Sequence, residues 1–403
     1  RADPPARVAF LTSEFVSEDP RGGGLGHYVS RMARALVAAG HQAEVFVPSA
    51  RDPGPLDFDG IVVHRVRRAL ERRAVRAALL ACRRLGLRRL ARCIPNATDA
   101  WLLARALRQR EALAPFDLVQ SADHLAAGLF VDAWGGRRRR PHAVRCSNDG
   151  DWIAQLTGAD ARAGAWLHAL ERHCLRRADT AYAPSRFLAE HYAARHGIRL
   201  AVIRPPAVLE AQANAALPPG LPKRYFVHFG QLSAAKGTPV LAEALLRVWA
   251  REPDFAMVWA GRDRGFGLSD AARRWGEHRE QVHWLGELTG AELCAVLEHA
   301  EAAVLPSRFD NLPNTVIESL LHGLPVIGTR GASIDELVEP GVHGELVAHD
   351  DAQALADAML RLWRGESPVR KGFRWQGPLA ESMRPECAVA SLLTLARRRR
   401  EPA

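Results

Sequence analysis

The chain has 403 residues, 48% hydrophobic and 25% charged, a composition expected of a soluble protein with two or three cores. Its charge of +10 and pI of about 9.9 come almost wholly from arginine, since Lys223, Lys236 and Lys371 are the only lysines; the bias reads either as an anionic partner or as a GC-rich genome. No run of about twenty apolar residues is present, which excludes a helical membrane span. Six scattered cysteines without a C-x-x-C pair argue against zinc or a disulfide framework, and reduced thiols in a cytoplasm are expected.

The opening RADPPARVAFLTSE lacks the separate apolar segment of a secretory leader and no initiating Met is present, so a few residues are expected to be missing, and residues 7–14 are read as a buried strand. A glycine loop should follow, then a helix from His27 to Ala39 stopped by Gly40. Short apolar runs at 43–48, 61–66, 117–121, 142–146, 180–185 and 201–205 alternate with helical patterns, which predicts a parallel sheet covered by helices. Residues 206–224, rich in Pro and Ala, read as a linker. A second series of strands is predicted at 225–230, 255–261, 281–286, 302–307, 325–329 and 344–348. The fold class is therefore α/β, two doubly wound domains, with ligands expected at the carboxyl ends of the strands in the cleft between them.

Three loops carry the chemistry. In SRFDNLPNTVIESLLHGLPVIGT (307–329), Asp310 and Glu318 flank a loop that opens into a helix, with Asn311 or Asn314 as its cap and Pro313 in its first turn. The N–H groups of Asn314 and Thr315 can face a phosphate, while the carboxylates suit hydroxyl groups. In FVHFGQLSAAKGT (226–238) a strand ends at Gly230 and a loop presents Lys236, a point charge for a diphosphate. The spacing comes near a phosphate-binding NTPase loop, but Ala235 stands at its second glycine, which excludes that reading. In EDPRGGGLGHYVS (18–30) the glycines, Gly23 and Gly24 above all, let the backbone approach a ligand closely. Val29 at the third position rules out the dinucleotide pattern. Each segment also reads, on spacing alone, as an ordinary βα loop.

The letters around Asp310 and Glu318 resemble the signature of retaining GT-B glycosyltransferases of family 4, and residues 8–36 resemble the glycine loop of glycogen and starch synthases, which share that fold. The resemblance implies a first Rossmann-like domain over 1–205 on the acceptor side. It implies a nucleotide-sugar domain over 225–370, and a closing segment over 371–403 that returns to the first domain. Implied roles are donor-sugar contacts for Asp310, Asn311 and Leu312, ribose binding for Glu318, and diphosphate binding for Lys236, Gln231, Asn314 and Thr315. Gln231 stands where arginine is usual, so one phosphate-neutralising charge is missing. Gly23 and Gly24 should border the transferred sugar and Leu285 the base. His124 lies one or two positions from the place of a family histidine near the reacting sugar; it also reads as a structural or solvated residue. Arg145 and Ser147 are weaker acceptor-side candidates.

The implied activity is metal-independent, cofactor-free transfer of a hexose, with retention, from a UDP or GDP sugar to an acceptor hydroxyl. Surface polysaccharide or glycolipid assembly is the favoured setting. A natural-product acceptor, an epimerase and a non-catalytic nucleotide-sugar binder stay open. The basic segment 65–92, with apolar residues at near-helical spacing, is expected either to touch an anionic membrane or lipid-linked acceptor at the inner face of the membrane, or to be a solvated helix. No nucleic-acid module is present.

Overall fold

The βα series folds into two sheets, each in its own compact unit: Arg1–Pro206 with Glu381–Ala403, and Ala207–Ala380. The computed structural model describes residues 4–20, 23–132, 140–157, 161–209, 216–331 and 333–397. Gly22, Arg137–Arg139, the middle of the linker and the end of the basic tail lie outside the described residues.

In the first unit the strands are β1 (Arg7–Leu11), β2 (Gln42–Ser49), β3 (Gly54–Phe58), β4 (Ile61–Arg67), β5 (Leu118–Ala122), β6 (His142–Arg145), β7 (Thr180–Ala183) and β8 (Ala201–Val202). Their order is β3-β4-β2-β1-β5-β6-β7-β8. All five residues of β1 are buried, which is why its apolar run is continuous rather than alternating. The helices are α1 (Gly24–Ala38), α2 (Arg73–Arg84), α3 (Arg88–Glu111), α4 (Gly150–Thr157), α5 (Ala161–Arg177) and α6 (Arg186–His196). Leu25, Tyr28, Val29, Met32 and Leu36 form the buried stripe of α1 and pack with Val8 and Phe10 of β1. The basic segment is not one helix: a 3-10 turn at Ala69–Glu71 precedes α2, and Gly86, at φ 70°, separates α2 from α3.

Two expectations need correction here. The sheet is not wholly parallel, because β3 pairs antiparallel with β4 at the edge. Its signal was Asp59-Gly60, both at positive φ, the two-residue hairpin turn between Phe58 and Ile61. Helix α1 starts at Gly24, not His27, so Gly24 and Gly26 lie in its first turn. The Glu14 carboxylate makes this start possible by accepting the Gly26 N–H at 3.0 Å, where the N-cap, Gly23, has no side chain to do so.

The second unit carries β9 (Phe226–Phe229), β10 (Met257–Ala260), β11 (Val282–Gly286), β12 (Ala302–Leu305), β13 (Val326–Thr329) and β14 (Gly344–Val347), all parallel, in the order β11-β10-β9-β12-β13-β14. Around them run α7 (Thr238–Trp249), α8 (Leu268–Trp275), α9 (Gly290–His299), α10 (Asn314–Leu321), α11 (Ala352–Trp363) and α12 (Pro378–Ser382). Trp249, Trp259 and Trp275 meet edge to face in its core. The last helix, α13 (Pro385–Arg397), puts Ala388, Val389, Leu392 and Leu395 into the core of the first unit beside Val29 and Met32.

Each sheet has a point where strand order reverses: β1 lies between β2 and β5, and β9 between β10 and β12. Loops leaving the carboxyl ends of such neighbours diverge and leave room for a ligand.

Candidate functional site

In the second unit the loops after β9 and β12 meet at that reversal. The Lys236 ammonium donates to Oδ2 of Asp310. Ser307 Oγ donates to the same oxygen at 3.3 Å, and the Asn311 N–H to Oδ1 at 3.1 Å. The loops are tied together by the Arg308 N–H, which donates to the carbonyl of Ala235 at 3.0 Å. Side chains of Lys236 and Asp310 are 33% and 12% exposed, so the pair is reachable from solvent but partly screened from it.

Close backbone approaches make these loops possible. Gly237 has φ 71°, and a Cβ there would overlap the carbonyl of Pro306. Beneath Lys236, Thr238 Oγ1 accepts the Ser233 N–H at 3.0 Å and faces Nε2 of His228 at 3.3 Å. His228 Nδ1 lies 2.7 Å from the carbonyl of Val304, which can only accept, so Nδ1 carries the proton. Burial lowers the His228 pKa to about 4, and the ring is neutral at neutral pH.

The N-cap of helix α10 falls between the two expected ones. Pro313 is the N-cap and Asn314 the first helical residue; neither Asn311 nor Asn314 caps it. Leu312 turns the chain at φ 56°, and Pro313 then holds an extended conformation with no polar side chain of its own to cap the first turn. Asn314 and Thr315 thus occupy the first two positions of a helix whose positive end lies four residues from Asp310. Glu318 follows one turn later, half-buried. Leu312 is 4% exposed; its N–H donates to Ser333 Oγ at 2.7 Å, and Ser333 Oγ donates to the Asp310 carbonyl at 3.0 Å. Ser333 itself holds φ 56°. Sequence reasoning missed Ser307 and Ser333, and no local pattern marks them.

The remaining second-unit candidates lie nearer the sheet edge or solvent. Gln231 is exposed just after β9. Leu285 is the extra residue of a bulge: Trp259 pairs with Trp284 and Ala260 with Gly286. Bulges re-aim side chains, but β11 stands two strands from β9, so no described contact joins Leu285 to Lys236.

In the first unit the loops after β1 and β5 also meet. His124 Nδ1 and Ser13 Oγ are 2.9 Å apart. A Cβ at Gly23 would lie 2.7 Å from Oε1 of Glu14, so a side chain there would displace that carboxylate. After His124 both Leu125 and Ala126 hold positive φ, 57° and 55°, an unusual pair of strained residues. They are held by the Ala126 N–H donating to the Asp123 carbonyl at 2.7 Å and the Leu125 N–H donating to Glu171 at 3.0 Å. Burial, with the Asp123 charge adding to it, raises Glu171 to about 8, so it is protonated at neutral pH. Asp123, wholly buried, accepts the Ser147 N–H at 2.8 Å. Arg145 stacks over the Tyr28 ring at 4.1 Å and donates to Ser147 Oγ at 3.2 Å.

Among the described residues, one group has metal-ligand chemistry: Asp149 with His191 and His196, both ring Nε2 atoms within 2.9 Å of Oδ2. Asp149 also accepts the Asp151 N–H at 3.0 Å, so hydrogen bonds satisfy the carboxylate as it stands.

Residues 23–206 match the family described as Glycosyl transferase 4-like domain, and residues 223–365 match Glycosyl transferases group 1. Together these matches span most of the chain and include the loops after β5, β9 and β12, while nearly all of the loop after β1 precedes the first match. The chain belongs to the GT-B glycosyltransferases. As a hexosyltransferase of this fold it is 27% identical over 371 residues to glycogen synthase of Mycobacterium tuberculosis, covering 84% of this chain and 81% of the relative. It is 27% identical over 272 residues to the lipopolysaccharide core biosynthesis mannosyltransferase LpcC of Rhizobium leguminosarum, covering 58% of this chain and 73% of the relative. The GT-B fold recurs in sucrose-phosphate synthase from Thermosynechococcus elongatus, at TM-score 0.72 and 19% identity over 97% of this chain and 98% of the other. Anabaena HepE, solved in complex with UDP and glucose, matches at TM-score 0.66 and 16% identity, covering 96% and 98%.

Proposed function

We propose that this glycosyltransferase moves a hexose from a UDP or GDP sugar to an acceptor hydroxyl with retention, in surface-polysaccharide or glycolipid assembly. The observation that carries the donor reading is the meeting of Lys236, Asp310 and the α10 N-terminus at one switch point. Lys236 and the N–H groups of Asn314 and Thr315 neutralise the leaving diphosphate as it forms. Asp310, with Asn311 and the loop shape set by Leu312, takes donor-sugar hydroxyls; Glu318 takes the ribose, and backbone near Leu285 the base. Gln231 contributes a neutral hydrogen bond. In the first unit Gly23, Gly24 and His124 serve the transferred sugar and the acceptor. The reaction is same-face substitution in which the leaving phosphate oxygen takes the acceptor proton, with no metal or other cofactor.

The lipopolysaccharide mannosyltransferase and glycogen synthase relatives support a saccharide acceptor. Segment 65–92 touches an anionic membrane surface, a reading supported by arginines interleaved with the exposed Leu80, Leu85 and Leu87. Thermal stability with UDP-, GDP-, ADP- and dTDP-sugars tests the donor. A donor at one hundred times its Kd should stabilise by about 2.7 kcal/mol. A shift with none of the four would overturn the donor assignment.

A further inference from the structure

A concavity rich in arginine lies in the first unit, outside the loops that carry Lys236, Asp310 and His124. It has a volume of about 1010 Å3 and is lined by Arg67, Arg72, Arg73 and Arg76, with Glu71 and Thr98. Glu71 is occupied by Arg67, at 3.2 Å. Among the described residues no carboxylate forms an ion pair with Arg72, Arg73 or Arg76. The nearby Asp99 accepts the Ala69 N–H at 2.6 Å; burial raises its pKa, while the charges of Arg68 and Arg72 oppose that shift. Arg73 to Arg76 are the first four residues of α2, whose N-cap, Arg72, provides no side-chain acceptor, so the positive helix end adds to the guanidinium charge.

We propose that this cavity binds a phosphate group, and that the phosphate is carried by the acceptor. Anion binding stands on the cavity alone; its assignment to the acceptor rests on the transfer reading above. Guanidinium forks match phosphate oxygens two at a time, and several around one concavity select phosphate over a neutral sugar. Arg67 ends β4 in register with Ser49 of β2, and Ala50, the next residue, also lines the cavity. The cavity thus lies at the carboxyl edge of the sheet, the edge that carries Ser13 and His124. The phosphate comes from a soluble sugar phosphate or from a lipid headgroup. Leu80 and Leu85, 51% and 71% exposed on and after α2, suit the second source.

The test uses the full chain, the Arg72→Gln/Arg76→Gln double variant, and Arg83→Gln/Arg84→Gln as a control with the same charge loss on the same helix outside the cavity. All four side chains are exposed, so each variant should fold. Binding of inorganic phosphate is measured by calorimetry. Retention on phosphatidylcholine vesicles with and without phosphatidylglycerol is measured by flotation. The cavity variant should weaken one of these at least about tenfold while the control changes by less than about twofold. Weakened inorganic phosphate binding identifies a soluble source; loss confined to phosphatidylglycerol vesicles identifies a lipid source. Equal weakening by both variants, or no binding of either probe by the wild type, overturns the proposal. Nucleotide-sugar stabilisation is followed in parallel in the wild type. Its absence would sink the transfer reading and leave the anion site standing.

Discussion

Leu312 and Ser333 both hold left-handed backbone conformations, and the N–H of one donates to the hydroxyl of the other across 21 residues of sequence. Two strained residues thus brace each other, and the same hydroxyl reaches the carbonyl of Asp310. Ser333→Ala should leave a buried N–H unpaired and cost about 1–3 kcal/mol of stability. Donor affinity should fall with it, although Ser333 is 0% exposed and touches no ligand directly. Urea unfolding and donor titration of the same preparation check both; unchanged donor affinity in a destabilised protein would confine Ser333 to a structural role.

Lys236→Ala and Glu318→Ala should each weaken donor binding at least about tenfold while the fold persists, as expected for loss of a charge-assisted hydrogen bond. Wild-type donor affinity in a correctly folded Glu318→Ala protein would refute its ribose role. Lys236→Ala also frees Asp310, so the two variants should differ in salt dependence, with the slope reduced only when Lys236 is removed.

Gly237→Ala should destabilise by more than about 2 kcal/mol, since it adds a Cβ against the Pro306 carbonyl at a positive φ. Gly40→Ala, also at positive φ but facing open space, should cost only about 1 kcal/mol. Chemical denaturation compares the two.

The buried His228 makes stability fall in acid. Its folded pKa is about 4 against an ordinary 6.5, so between these the unfolded chain binds a proton that the folded state does not. Stability should drop as pH falls from 6.5 towards 4 and level off below, by about 3 kcal/mol from this residue. His228→Asn can keep a donor towards Val304 and should flatten that part of the profile.

Glu171 has the opposite sign. Its folded pKa is about 8 against 4.5, so the folded state keeps a proton that the unfolded chain releases, and stability declines as pH rises between them. The cost reaches about 3 kcal/mol by pH 7. Glu171→Gln resembles the protonated acid and can still accept the Leu125 N–H, so it should be more stable than the wild type at neutral pH, with a flatter alkaline limb in thermal scans.

Both sheets were legible because buried parallel strands are continuous apolar runs, and those runs differ from the helical patterns between them. The edge strand β3 was overlooked although Asp59-Gly60 announced its turn. The start of α1 depended on Glu14, ten residues before it, and a cap contributed from the far end of the preceding loop leaves no mark at the helix itself. Lys236 and Asp310 could be named from local letters, but not that they bond to one another, since 74 residues separate them. Glu171, Ser307 and Ser333 act through distant or buried contacts, which periodicity does not report.

The last helix gives the molecule an order of assembly. Leu392 and Leu395 belong to the core built on Val8 and Met32, so the first unit lacks part of its interior until α13 has left the ribosome. The second unit, whose sequence ends at Ala380, is complete sooner. During synthesis the N-terminal sheet is therefore made long before the helix that completes its core, and a nascent chain arrested near residue 380 should expose the apolar surface that α13 covers.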